Sequence, residues 1–191
     1  MRRVYLDNNA TTPVLPEVLD AMRPYFGEHF GNASSIHHHG QETRAAVERA
    51  REFVATLLGC RAAEVVFTSG GTEADNLAIF GLVRSGDHVI TSTIEHHAVL
   101  NSCKHLQERG VEVTFLPVDG RGLVNPDDVH RALRPNTKLV TIMYANNETG
   151  AIQPVEEFGK ICAEADVFFH TDAVQAASKI PIDVKAIGCD L

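Results

Sequence analysis

Asp172 lies in the stretch His170-Thr171-Asp172-Ala173-Val174-Gln175, directly after the apolar run Val167-Phe168-Phe169. An acid at the end of a strand-like segment is unfavourable unless something positive sits in front of it. Three residues on, Gln175 adds an amide. Three other stretches place reactive side chains after an apolar run. Ser69-Gly70-Gly71-Thr72-Glu73-Ala74-Asp75-Asn76 offers glycines, a hydroxyl and a helix start, which is either an anion cradle or an ordinary N-cap by Thr72 or Ser69. Thr93-Ile94-Glu95-His96-His97 offers an imidazole that can stack on a flat ligand, move protons or bind metal, or that is no more than a polar surface. Asn146-Asn147-Glu148-Thr149-Gly150 offers amides that either form a turn or aim into a cleft.

The elements that must position these residues follow from hydrophobic period. Residues 1–40 read as irregular, with a short helix around Glu17–Tyr25, and a longer helix is expected over 41–58 with Gly59 as its stop. Beyond it, strands are expected at 64–68, 87–92, 111–118, 137–145 and 167–172. Helices are expected between them, at 73–83, 98–110, 126–133 and 155–165. Such alternation predicts an α/β fold, a mostly parallel sheet with helices on both faces. Ligands in that fold gather beyond the carboxyl ends of the strands. The anion cradle, the histidine, the amide and the acid all fall at that edge. One ligand suits the whole set: pyridoxal 5'-phosphate (PLP), with a phosphate for the helix start, a ring for a flat partner and a pyridine nitrogen for an acid.

Six stretches carry a resemblance in order and spacing: "YLDNNATTP" (5–13), "FGNASSIH" (30–37), "FTSGGTEADN" (67–76), "EHHAVL" (95–100), "ANNETGAIQP" (145–154) and "HTDAVQAASKIPIDV" (170–184). Together they resemble the cysteine desulfurases, in the PLP-dependent class V aminotransferase superfamily of fold type I. The resemblance implies that Gly71 and Thr72 hold the phosphate and that His96 stacks on the ring and relays protons. It puts Asn147 beside the cofactor and the substrate carboxylate, Asp172 on the ring nitrogen and Gln175 on the ring's 3′ oxygen. It implies L-cysteine as substrate, alanine as product, and a persulfide passed to an acceptor such as an Fe–S scaffold, by a homodimer. It divides the chain into an N-terminal segment, 1–40, and a large PLP-binding domain, 41–191, that is incomplete. The family's Schiff-base lysine, its persulfide cysteine and its small C-terminal domain have no match here. Lys104, Lys160 and Lys179 do not fit that lysine's motif. The chain therefore reads as an N-terminal part, inactive alone. A non-catalytic desulfurase-like partner, or a selenocysteine lyase-like or kynureninase-like enzyme, are the other readings.

Composition bounds these readings. The 191 residues suit one large domain or one domain with an appendage, and 44% hydrophobic content is ordinary for a globular chain. A net charge of -8 argues against nucleic acid as a partner. No apolar run approaches the length of a membrane helix. Cys60, Cys103, Cys162 and Cys189 are scattered, with no C-x-x-C pair, which suits reduced thiols in a cytoplasm. A metal centre on His37-His38-His39, His96-His97 or His170-x-Asp172 lacks a coordinating pattern, and "SSIHHHGQ" reads as a helix entry capped by Ser34 or Ser35.

Overall fold

The computed structural model describes residues 3–191, so the first two residues of the N-terminal segment lie outside it. The chain forms two compact units, Met1–Val66 and Phe67–Leu191. The first holds α1 (Pro16–Met22), a 3-10 turn (Arg23–Phe26), α2 (His38–Leu58) and a second 3-10 turn (Ala62–Glu64). Gly59 ends α2 in the left-handed region at φ 75°, as its lack of a Cβ allows. The start of α2 differs from expectation. The cap is His37, not Ser34 or Ser35: its Nδ1 accepts from Gly40 N at 3.3 Å. Ser34 instead donates its backbone N–H to Asn32 Oδ1 at 2.9 Å, which closes a local turn. His38 and His39 each reach Glu42 on the same helix, at 3.4 and 3.8 Å.

The second unit opens with α3 (Gly71–Leu82). Then come β1 (His88–Ser92), α4 (His97–Glu108), β2 (Glu112–Leu116) and α5 (Pro126–Ala132). β3 (Thr137–Thr141), α6 (Val155–Glu164), β4 (Phe168–His170) and α7 (Val184–Ile187) follow. The four strands lie in the order β2-β1-β3-β4, and every pairing is parallel. Successive residues face opposite sides. Ile90, Val140 and Phe169 pack with Val129, Phe158 and Ile187 from α5, α6 and α7. Val89 and Leu139 pack with Ile79 from α3 and with Val99, Cys103 and Leu106 from α4. Burial on both faces explains why all five residues of β1 are buried, although only Val89 and Ile90 are apolar.

The expected strand over 64–68 is not found. Those residues pair with no strand, and Val66 and Phe67 are 67% and 49% exposed. An apolar run makes a strand only when an edge accepts its backbone hydrogen bonds, and β2 and β4 are the outer members of this sheet. The expected strand at 137–145 shortens to β3. Its backbone pairing continues past the last regular residue, with Ile142 N donating to His170 O at 3.2 Å and Tyr144 N to Asp172 O at 2.8 Å. Among the described residues no helix is long and apolar enough to cross a membrane.

Candidate active site

Because all four strands run the same way, the segments that follow them emerge at one edge of the sheet. The anion cradle is the start of α3. Its N-cap is Gly70, and no side chain caps it, so the first-turn N–H groups are left for another acceptor. Neither Ser69 nor Thr72 fills the capping role. Ser69 instead gives both its N–H (2.7 Å) and its hydroxyl (2.5 Å) to Glu73, holding the turn from outside and keeping Glu73 below the usual carboxylate range. A Cβ built on Gly70 would meet no atom within 4 Å, so open space lies in front of the helix start. A Cβ on Gly71 would lie 2.8 Å from Val174 Cγ2. The turn after β4 therefore abuts the turn that opens α3.

That contact brings Asp172 beside the cradle. Asp172 is 9% exposed, and its Oδ1 accepts from Val174 N at 2.9 Å. One turn into α3, Asp75 is buried beneath it, with Oδ1 3.6 Å from His170 Nε2. His170 Nδ1 completes the link at 2.8 Å from Thr141 Oγ1 on β3. Burial, then the charge of Asp172, pushes Asp75 up to about 7. Burial pushes His170 down to about 4, so the imidazole is neutral at neutral pH. Glu95, also buried, is pushed up to about 8, chiefly by burial and to a smaller extent by Asp172 and Asp75. Three carboxyl groups thus converge, and among the described residues no Lys or Arg is paired with any of them. A cation at the strand edge would favour the ionised forms of this cluster.

His96 is the N-cap of α4, and its Nδ1 accepts from Ala98 N at 3.1 Å. An acceptor at Nδ1 places the proton of the neutral ring on Nε2. His96 and Thr72 line one open cleft of about 430 Å³, with Asn76, His97 and Ser102. Asn147, Asp172 and Gln175 do not line that cleft. Asn147 is half-buried, with Nδ2 donating to Glu148 at 2.9 Å. Gln175 is half-buried too, and its Oε1 accepts from the Lys179 ammonium.

The two asparagines divide the roles that the sequence left open. Asn146 is the turn former: its Oδ1 takes the N–H groups of Glu148 and Thr149 at 3.0 and 2.9 Å. Sequence reasoning also passed over Asp75 and Glu95 as parts of the site, and weighed His170 only as a metal ligand. Two signals pointed to them: Asp75 lies one helical turn after Gly71, and Glu95 and His170 sit one and two residues before His96 and Asp172.

The sequence profile of the family described as Aminotransferase class-V matches residues 4–191. The chain belongs to that family. This class-V aminotransferase chain is 54% identical, along its whole length, to "Cysteine desulfurase IscS" of Dictyoglomus turgidum, and covers 49% of that protein. It is 52% identical to the protein of the same name from Methanosarcina thermophila, covering 48% of it. The chain spans about half the length of the curated relatives it matches. Among solved structures, one described as "SspA in complex with cysteine" superposes with a TM-score of 0.94 at 42% identity, over 97% of this chain and 55% of that one. A "NifS-like protein" superposes with a TM-score of 0.92 at 40% identity, over 99% of this chain and 53% of that one. These class-V neighbours share the α/β architecture described above.

Proposed function

We propose that this chain supplies the cofactor-binding part of a PLP-dependent cysteine desulfurase. The observation that carries the reading is the contact of Gly71 with Val174, which sets an uncapped helix start beside a buried acid that has no Lys or Arg partner among the described residues. Those features fit PLP: a phosphate has free N–H donors and open space at Gly70, and a protonated ring nitrogen has an anion to face. Gly71 and Thr72 would hold the phosphate, His96 the ring face, Asp172 the ring nitrogen, Asn147 the neighbourhood of the substrate carboxylate and Gln175 the 3′ oxygen. When bound, PLP supplies an electron sink for the α-carbon of an amino acid.

The residues of this chain prepare that chemistry. Asp172 is anchored twice, through its carbonyl to Tyr144 N and through its carboxylate to Val174 N, so its charge stays at the strand edge. His96 keeps a proton at Nε2 because Nδ1 is occupied by the helix cap, and can hold or deliver that proton at the cleft surface. The names of the relatives support L-cysteine as the substrate. The balanced reaction takes L-cysteine and an enzyme thiol to L-alanine and an enzyme persulfide. The thiol and the PLP-anchoring lysine would come from outside these 191 residues, and the persulfide sulfur would pass to an acceptor such as an Fe–S scaffold. A homodimer is part of the same reading. The test is alanine release from L-cysteine by the protein carrying this chain, with and without added PLP. Release that depends on PLP and is lost in Asp172→Ala supports the proposal; release of alanine without PLP, or none with it, sinks it.

A further inference from the structure

His96 and Asn147 stand on separate loops, the first after β1 and the second after β3. In each case the preceding residue reaches across to the other loop. Glu95 accepts the Met143 N–H on both carboxylate oxygens, at 2.9 and 3.1 Å, and binds the Ser92 hydroxyl as well. Asn146 runs its bond in the opposite direction, with Nδ2 donating to Ile94 O at 3.0 Å while Oδ1 holds its own turn. Both side chains are buried. The two bonds cross between the same pair of loops, so neither loop can slide without breaking one of them.

We propose that Glu95 and Asn146 are positioning residues that clamp the two loops into one unit and so fix the backbone from which His96 and Asn147 project. The proposal rests on the cofactor reading above. The side chains involved argue for a positional role. A carboxyl buried among neutral partners is a costly way to hold a fold, because its direct partners are a backbone N–H and a serine hydroxyl. What it provides is direction: both carboxyl oxygens lie within 3.1 Å of one N–H and leave that N–H no other partner. Asn146 likewise saturates both ends of its amide. A loop held at residue 95 has little freedom at residue 96, and the same holds for 146 and 147.

The experiment compares Glu95→Ala, Glu95→Gln, Asn146→Ala and the parent sequence, in the protein carrying this chain. Two readouts are independent of turnover. PLP affinity is measured by titration, and the reactivity of His96 in cofactor-free protein is measured by diethyl pyrocarbonate labelling with peptide mass analysis. Glu95→Ala and Asn146→Ala are expected to weaken PLP binding about 5–20-fold and to speed His96 labelling several-fold, with kcat falling more than KM rises. Glu95→Gln keeps one oxygen that can accept from Met143 N and the Ser92 hydroxyl but loses the second acceptor, so it is expected to restore both readouts in part. Parent-like binding and labelling in both alanine variants would overturn the clamp, and so would Glu95→Gln behaving like Glu95→Ala. Should Glu95→Ala not fold, Asn146→Ala and Glu95→Gln still decide the matter. If the parent protein binds no PLP, the cofactor reading fails, while the labelling rates still report on the clamp.

Discussion

His170 Nε2 lies 3.6 Å from Asp75 Oδ1, and both side chains are only 6% exposed. A neutral imidazole and an acid pushed up to about 7 share this buried space, so the proton that the pair gains or loses near neutral pH belongs to Asp75.

A pH dependence of stability follows, and its signs can be worked out group by group. Asp75 and Glu95 keep protons in the fold up to about 7 and about 8, above their ordinary 3.8 and 4.5. Their contribution is fully present at low pH and is lost as pH rises through those values. His170 titrates near 4 in the fold against an ordinary 6.5, so it penalises the fold only as pH falls through that window. Between pH 4 and 6.5 the two effects oppose each other. Above 6.5 only the carboxyl effect remains, and Tm should fall from pH 6.5 to 8. Glu95→Gln should flatten that fall. Thermal scans of cofactor-free protein across this range test it, and an equal slope in Glu95→Gln and the parent would count against a neutral buried Glu95.

Asp172→Asn should leave the fold intact and weaken the chemistry. An anion in contact typically moves a partner's pKa by about 1–3 units, each worth about 1.4 kcal/mol. The expected loss in kcat/KM for alanine formation is therefore about 10- to 1000-fold. A spectroscopic pH titration of bound PLP should show its ring nitrogen losing its proton at lower pH than in the parent.

Gly70→Asp separates stability from binding. Gly70 has extended backbone (φ 162°), a conformation open to any residue, and its front is empty. An aspartate there would cap α3 and add roughly a few tenths of a kcal/mol. It would also put an anion where the phosphate is proposed to sit. Cofactor-free Tm should hold or rise, while the Kd for PLP rises at least about tenfold, readable by differential scanning fluorimetry and titration.

Gly159 should tolerate nothing larger. A Cβ there would lie 1.9 Å from the backbone oxygen of Ile187, where α6 meets α7. Gly159→Ala is expected to cost about 1–3 kcal/mol. Gly81→Ala is the matched control: its Cβ meets nothing within 4 Å inside α3, and the change should stabilise by up to about 1 kcal/mol. Urea midpoints for the two variants should move in opposite directions.

Much of this architecture could be read from residue patterns, because each βα repeat announces itself as an apolar run followed by a helical period. Leu139 and Val140 are both buried because helices cover both sheet faces, so an unbroken apolar run was the right signal. The same signal misled at 64–68, since Val65-Val66-Phe67 is just as apolar and pairing depends on a distant edge. Helix α7 has four residues, too few to show a period. Its evidence is a cap, Asp183 Oδ1 accepting from Lys185 N at 2.9 Å and Ala186 N at 3.2 Å. For the site, residue types at strand ends were legible, whereas the bonds that hold them were not. Glu95 and Asn146 look like ordinary loop polars until Met143 and Ile94 are found opposite them, 48 and 52 residues away.

His96 carries one more implication. Its ring is held by the bond from Ala98 N to Nδ1, so turning the ring away uncaps α4. Losing such a cap typically costs about 1 kcal/mol, which would leave roughly one molecule in six with the ring swung aside. The helix therefore acts as a weak spring on the imidazole: stiff enough to present Nε2 most of the time, soft enough for an arriving planar ligand to adjust its tilt.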